Sequence, residues 1–143
     1  MLKGIPAILP PELVKILMEM GHGDQILLCD ANYPQLGSPE RCVRMDGIGI
    51  PDILNAILTL MPLDHAVEHP TTLMAVNPGD PYLPVVWDDY KRIGFAHEET
   101  GLREIAIRNT DFYVQGARCY ACVATGERAL YGNVILRKGV IKE

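Results

Sequence analysis

The sequence predicts an α/β fold, a single layered domain with a central mixed β-sheet flanked by helices. Three observations carry that expectation. Short apolar runs alternate with stretches of helical periodicity, as strands covered by helices do. The run Ile-Leu-Leu-Cys at 26–29 is unbroken rather than alternating, which suits a central strand covered on both faces. Two strand-like runs close the chain and are expected to pair as an antiparallel hairpin, which would make the sheet mixed. With 143 residues, 48% of them hydrophobic, the chain is long enough for one domain, 1–143, around one core.

Each element has a local cause. Pro10-Pro11 opens the first helix, where proline is tolerated in the first turn. Leu13, Ile16, Leu17 and Met20 then share one face, and Gly21 and Gly23 stop the helix. The 26–29 strand ends at Asp30, and the Pro, Gly and Asn content of 31–39 marks a loop. A short strand is expected at 42–45. Pro51 begins a helix with Asp52 favourable to its dipole and with apolar residues nearly all round, until Pro62 ends it. That helix is expected to be deeply packed, or to serve a subunit interface. A buried strand at 72–76 leads into the turn Asn77-Pro-Gly-Asp-Pro81. Pro84 begins a helix with the stripe Val86, Trp87, Tyr90 and Ile93. A strand at 105–107, a helix at 110–118 with Asn109 as N-cap, and strands at 120–125 and 133–137 complete the order.

Composition excludes several classes. The 13 Lys+Arg against 18 Asp+Glu give a net charge of −5. Without basic clusters the chain is not expected to bind nucleic acid, whose affinity rests on phosphate neutralisation. No apolar run approaches the ~20 residues of a membrane span, and no secretory signal is expected, so a cytoplasmic location is. The cysteines, Cys29, Cys42, Cys119 and Cys122, are read as free thiols. The Cys-x-x-Cys at 119–122 lies on a strand, where residues three apart face opposite ways. The four histidines suggest no metal site, and neither a metal nor a cofactor is expected.

The candidate chemistry lies at a few positions. His22, between two glycines, has no bulky neighbour to shield it, and imidazole titrates where proton transfer at neutral pH needs it. The same His would equally satisfy carbonyls at the end of the first helix. Asp30, at the carboxyl end of a buried strand, stands where α/β proteins bind ligands, or else caps the following turn. Tyr131 and Asn133 combine donors, acceptors and a ring face, as a saccharide site requires. Arg108 is either a ligand clamp or a solvated side chain.

Several blocks in order resemble the RbsD/FucU family of fucose mutarotases and ribose pyranases, and its fucose branch more closely. They are MLKGI at the start, PELVKILMEMGHGD, CDANYP, RMDGIGIPDILNAIL and ATGERALYGNVILRKGV, covering residues 2 to 140. The resemblance implies an isomerase that interconverts α and β anomers of a free monosaccharide, most simply L-fucose, without cofactor or metal. It implies His22 as proton donor, with Asp30, Tyr131 and Asn133 on the sugar, and a homo-oligomer, a decameric ring with sites between subunits. A non-catalytic monosaccharide-binding or transport-associated role is the alternative. Two departures bear on sugar preference. Asn32 stands where the fucose branch commonly has His, and Asn109 stands where it carries a sugar-contacting Arg, with Arg108 one residue earlier. A strand over 26–30 spans roughly 13–17 Å, so His22 and Asp30 either meet through a curled turn or come from two subunits.

Overall fold

The computed structural model describes residues 1–35 and 37–143; Leu36, within the expected 31–39 loop, lies outside the described residues. The elements run α1 (Pro11–Glu19), β1 (Gln25–Cys29), β2 (Cys42–Met45), α2 (Ile50–Leu60), β3 (Thr71–Met74), α3 (Val86–His97), β4 (Glu104–Ile107), α4 (Asn109–Ala117), β5 (Ala121–Thr125) and β6 (Val134–Arg137). Every expected element is present, and the boundaries shift by a residue or two. Pro84 sits before α3 rather than inside it, its carbonyl accepting the Trp87 N–H at 3.0 Å. Arg108 takes the N-cap position of α4, which leaves Asn109 in the first turn.

Six strands form one mixed sheet in the order β2-β5-β1-β6-β3-β4. β6 is antiparallel to both of its neighbours, and the other pairings are parallel. The expected β5–β6 hairpin does not form, because β1 lies between the two strands. After β5 the chain passes over the end of β1, where the Ala31 N–H donates to the Glu127 carbonyl at 2.8 Å, and returns along the other side. The physical reason is burial. Val134, Ile135 and Leu136 are apolar on both faces and buried, so β6 is best placed with a ladder on each side.

Alternation along β1 separates two cores. Ile26 and Leu28 face a large cluster built with Leu13 and Leu17 of α1, Ile53, Leu54 and Ile57 of α2, and Tyr90 of α3. Leu27 and Cys29 face a smaller cluster with Phe112 of α4 and Ile135. Helix α2 is therefore core rather than interface, with Ile53, Leu54 and Ile57 fully buried. Its N-terminus is capped from a distance, the Ile50 N–H donating to Glu127 Oε2 at 3.0 Å. Gly126 is required beside it, since a Cβ there would lie 2.1 Å from the Asp46 carbonyl oxygen.

All four cysteines are free. Cys119 precedes β5 rather than lying on it, so it packs in the same cluster as Cys122 and not on the opposite face. Burial pushes the Cys119 thiol up to about 12, and a side-chain hydrogen bond with Cys29, together with burial, raises that of Cys122, which suits inert packing residues. No helix among the described residues is long and apolar enough to cross a membrane.

Candidate active site

The parallel strands β1, β3 and β4 end at one edge of the sheet, and antiparallel β6 begins there. Four of the sequence-predicted residues converge on that edge. Asp30 follows β1, Asn109 follows β4, and Tyr131 and Asn133 lead into β6. With Asn77 and Asp80 from the turn after β3, they wall a cavity of about 230 Å³, closed on its apolar side by Tyr33, Met74 and Tyr113. Arg108 is exposed at the N-cap of α4 and is not among the lining residues.

Asp30 and Asn133 are held together. The Asp30 N–H donates to Asn133 Oδ1 at 2.7 Å, and the Asn32 N–H donates to Asp30 Oδ1 at 2.9 Å. The carboxylate thus caps the following turn while also lining the cavity. Burial raises the Asp30 pKa above its ordinary value, against the hydrogen bonds from Asn32 and Asn133. A carboxylate short of solvation gains from accepting hydroxyl protons.

Tyr131 is fixed on three sides. Its hydroxyl donates to Asp80 Oδ2 at 2.5 Å and accepts the Asn77 N–H at 3.3 Å, while its carbonyl accepts Trp87 Nε1–H at 2.8 Å. The residue sits at φ +58°, a region that ordinary side chains seldom occupy, and the three bonds hold it there. The Asp80 carboxylate raises the pKa of the phenol. Asn77 and Asp80 were legible only as turn formers, and their part in anchoring Tyr131 follows from the fold.

His22 lies at the opposite edge, before β1, so the turn does not curl back over the sheet. It is 47% exposed. The expected capping of α1 by this His does not occur. Lys138 does it, its Nζ donating to the carbonyls of Leu17, at 2.7 Å, and Met20. His22 Nε2 instead pairs with Asp64 Oδ1 at 2.9 Å. Asp64 is fully buried, and its Oδ2 accepts Arg137 Nε–H at 2.8 Å. Burial raises the Asp64 pKa, but the Ala66 N–H, Arg137 and His22 together outweigh it and hold the carboxyl down at about 2. The turn is latched to the end of β6, Gly23 N–H to the Lys138 carbonyl and Lys138 N–H to the Asp24 carbonyl, each at 2.9 Å. Asp64 carried no local signal in the sequence.

His65 and His69 are four residues apart, but their loop sends them to different partners, Glu98 at 3.2 Å and the Arg103 carbonyl at 2.9 Å. Among the described residues no group of three or more His, Cys, Asp or Glu is placed to hold a metal ion.

Fold and cavity together define a small α/β protein with a polar site at the carboxyl edge of a mixed sheet. Residues 3–141 match the sequence profile of the RbsD / FucU transport protein family, and the chain belongs to that family. It is 46% identical to the human fucose mutarotase, over 98% of this chain and 94% of the relative. The crystal structure of FucU from Bifidobacterium longum superposes with a TM-score of 0.93 at 45% identity, covering 98% of this chain and all of that one. The structure of the fucose mutarotase from Streptococcus pneumoniae in complex with L-fucose gives 0.92 at 46% identity, over 99% and 100% of the two chains.

Proposed function

We propose that this chain is a sugar mutarotase, an isomerase that interconverts the α and β anomers of L-fucose in the cytoplasm, working as a homo-oligomeric ring, decameric, with each site shared between subunits. The observation that carries the reading is the cavity. Its 230 Å³ lies below the roughly 300–1,000 Å³ of drug-sized sites, and it joins two carboxylates, four carboxamides and tyrosine faces, which suits one monosaccharide. Relatives sharing 39–46% of this sequence over nearly its whole length are fucose mutarotases, which supports L-fucose as the substrate.

Mutarotation needs a proton delivered to the ring oxygen and one removed from the anomeric hydroxyl. The bond between the anomeric carbon and the ring oxygen then breaks to give the open-chain aldehyde. Rotation and the reverse proton transfers close the ring on the other face. No electrons leave the sugar, so no redox cofactor is needed. In this reading Asp30, Asn109 and Asn133 hold the hydroxyls, the Tyr131 ring covers the sugar's apolar face, and His22 is the proton donor.

His22 and the cavity stand at opposite edges of one chain, so the donor must come from a second copy. The surface around His22 suits such a contact. It is apolar, with Met18 78% and Ile141 81% exposed, beside Val14, Leu60 and Val140. Arg108, exposed outside the cavity of one chain, meets the sugar only where the assembly completes the site.

Anomer exchange of L-fucose, measured by NMR magnetisation transfer, tests the reading directly. Acceleration over buffer that is lost in His22→Ala is the expected result. Mixing His22→Ala with Asp30→Ala protein and reassembling should restore roughly a quarter of the activity, since some sites then pair two intact halves. Calorimetric fucose binding with exchange no faster than buffer would favour the binding-only alternative instead.

A further inference from the structure

We infer that Asp64 is the positioning residue for His22, fixing its neutral ring as the Nε2–H tautomer and leaving Nδ1 as the nitrogen that passes the proton. The second clause rests on the proposed mutarotase reading, and the first does not. Asp64 is fully buried at the start of the segment that leads to β3, forty-two positions from His22 in sequence, and its Oδ1 lies 2.9 Å from His22 Nε2. Both carboxylate oxygens are engaged. Oδ1 also accepts the Ala66 N–H at 2.9 Å, and Oδ2 accepts Arg137 Nε–H at 2.8 Å.

An ionised carboxylate can only accept hydrogen bonds, so Nε2 must be the protonated nitrogen. In the neutral ring Nδ1 then carries the lone pair. Nδ1 has no hydrogen-bond partner among the described residues, and the ring is about half exposed. The proton must therefore enter and leave through Nδ1. The buried dyad also fixes the ring plane, so an approaching sugar meets one nitrogen in one orientation. Arg137 completes the arrangement from beneath. It shares the carboxylate, and its guanidinium passes so close under the turn that a Cβ on Gly23 would lie 3.0 Å from it.

The first measurement uses the unaltered full-length protein labelled with ¹⁵N-histidine, at a pH where the ring is neutral. The His22 signals are assigned by their loss in His22→Ala. A pyrrole-type Nε2 and a pyridine-type Nδ1 are expected, and the reverse pattern overturns the inference even if no variant folds. The second measurement uses Asp64→Asn. Arg137, the charged donor, claims the amide oxygen at the expense of the neutral Ala66 N–H, so the amide NH₂ faces Nε2 and should switch the ring to Nδ1–H. Exchange should then fall about 100-fold in kcat with KM within about twofold, since general acid–base catalysis is worth ~10²–10⁴. A merely structural role would leave the tautomer unchanged, and that result overturns the inference. Full exchange in Asp64→Asn with none in His22→Ala overturns the positioning role alone. Unaltered exchange in His22→Ala overturns the mutarotase reading of His22 and the proton route through Nδ1, while the tautomer is judged by the spectrum.

Discussion

Asp64 shows how much a single buried carboxylate does when its oxygens are all engaged. Its pKa of about 2, against an ordinary 3.8, makes it a stability element as well. A carboxyl whose folded pKa is depressed stabilises fully above its unfolded value, and that contribution disappears as the pH falls through the folded one. Asp64 should therefore supply about 2 kcal/mol at neutral pH that is lost between about pH 4 and pH 2. Denaturation midpoints of the wild type and Asp64→Asn, followed across that window, should converge as the pH falls. Gly23 is a second residue of this kind, at φ +87°. Gly23→Ala should cost about 1 kcal/mol or more by urea denaturation, since the added methyl both strains the backbone and presses on Arg137. The sequence singled out His22 by its flanking glycines, Asp30 by its place after an apolar strand, and Asn133 by its turn. Asp64 sits in Pro62-Leu63-Asp64-His65, where nothing local distinguishes it from a solvated loop Asp. Its partners are distant in sequence at residues 22 and 137, and only the folded chain brings them together.

Elements were more legible than their arrangement. Proline at the head of α1 and α2, and the glycines after α1, are local signals, and local signals set element boundaries. The pairing of β6 is not local. Its apolar residues announced a strand but not which neighbours it would take, and a hairpin to β5 was the nearer guess in sequence. Burial on both faces placed it between β1 and β3 instead. Of the two readings of α2, deep packing holds, and the interface alternative stayed open in sequence because an apolar helix looks the same there whether sheet or subunit covers it. Leu54→Ala in α2 should cost about 2–5 kcal/mol, the range for emptying a close-packed core position, with the urea midpoint lowered and the slope unchanged.

In the whole molecule β6 joins two edges that carry different halves of the proposed chemistry. Asn133 stands at its start beside the cavity, and Arg137 and Lys138 stand at its end beneath the His22 turn. A chain with its proton donor at one edge and its sugar cavity at the other is inactive alone under the proposed reading. Specific activity should therefore fall on dilution, along the same curve as oligomer mass measured by light scattering. A constant specific activity down to monomer would refute the shared site. The separation of the two edges has a further consequence in counting. Copies joined head to tail, each lending its histidine to the next, form one fewer complete site than there are chains, because the first cavity has no donor and the last histidine has no sugar. Only closing the circle matches every cavity with an acid, so under this reading closure is what makes the last subunit productive.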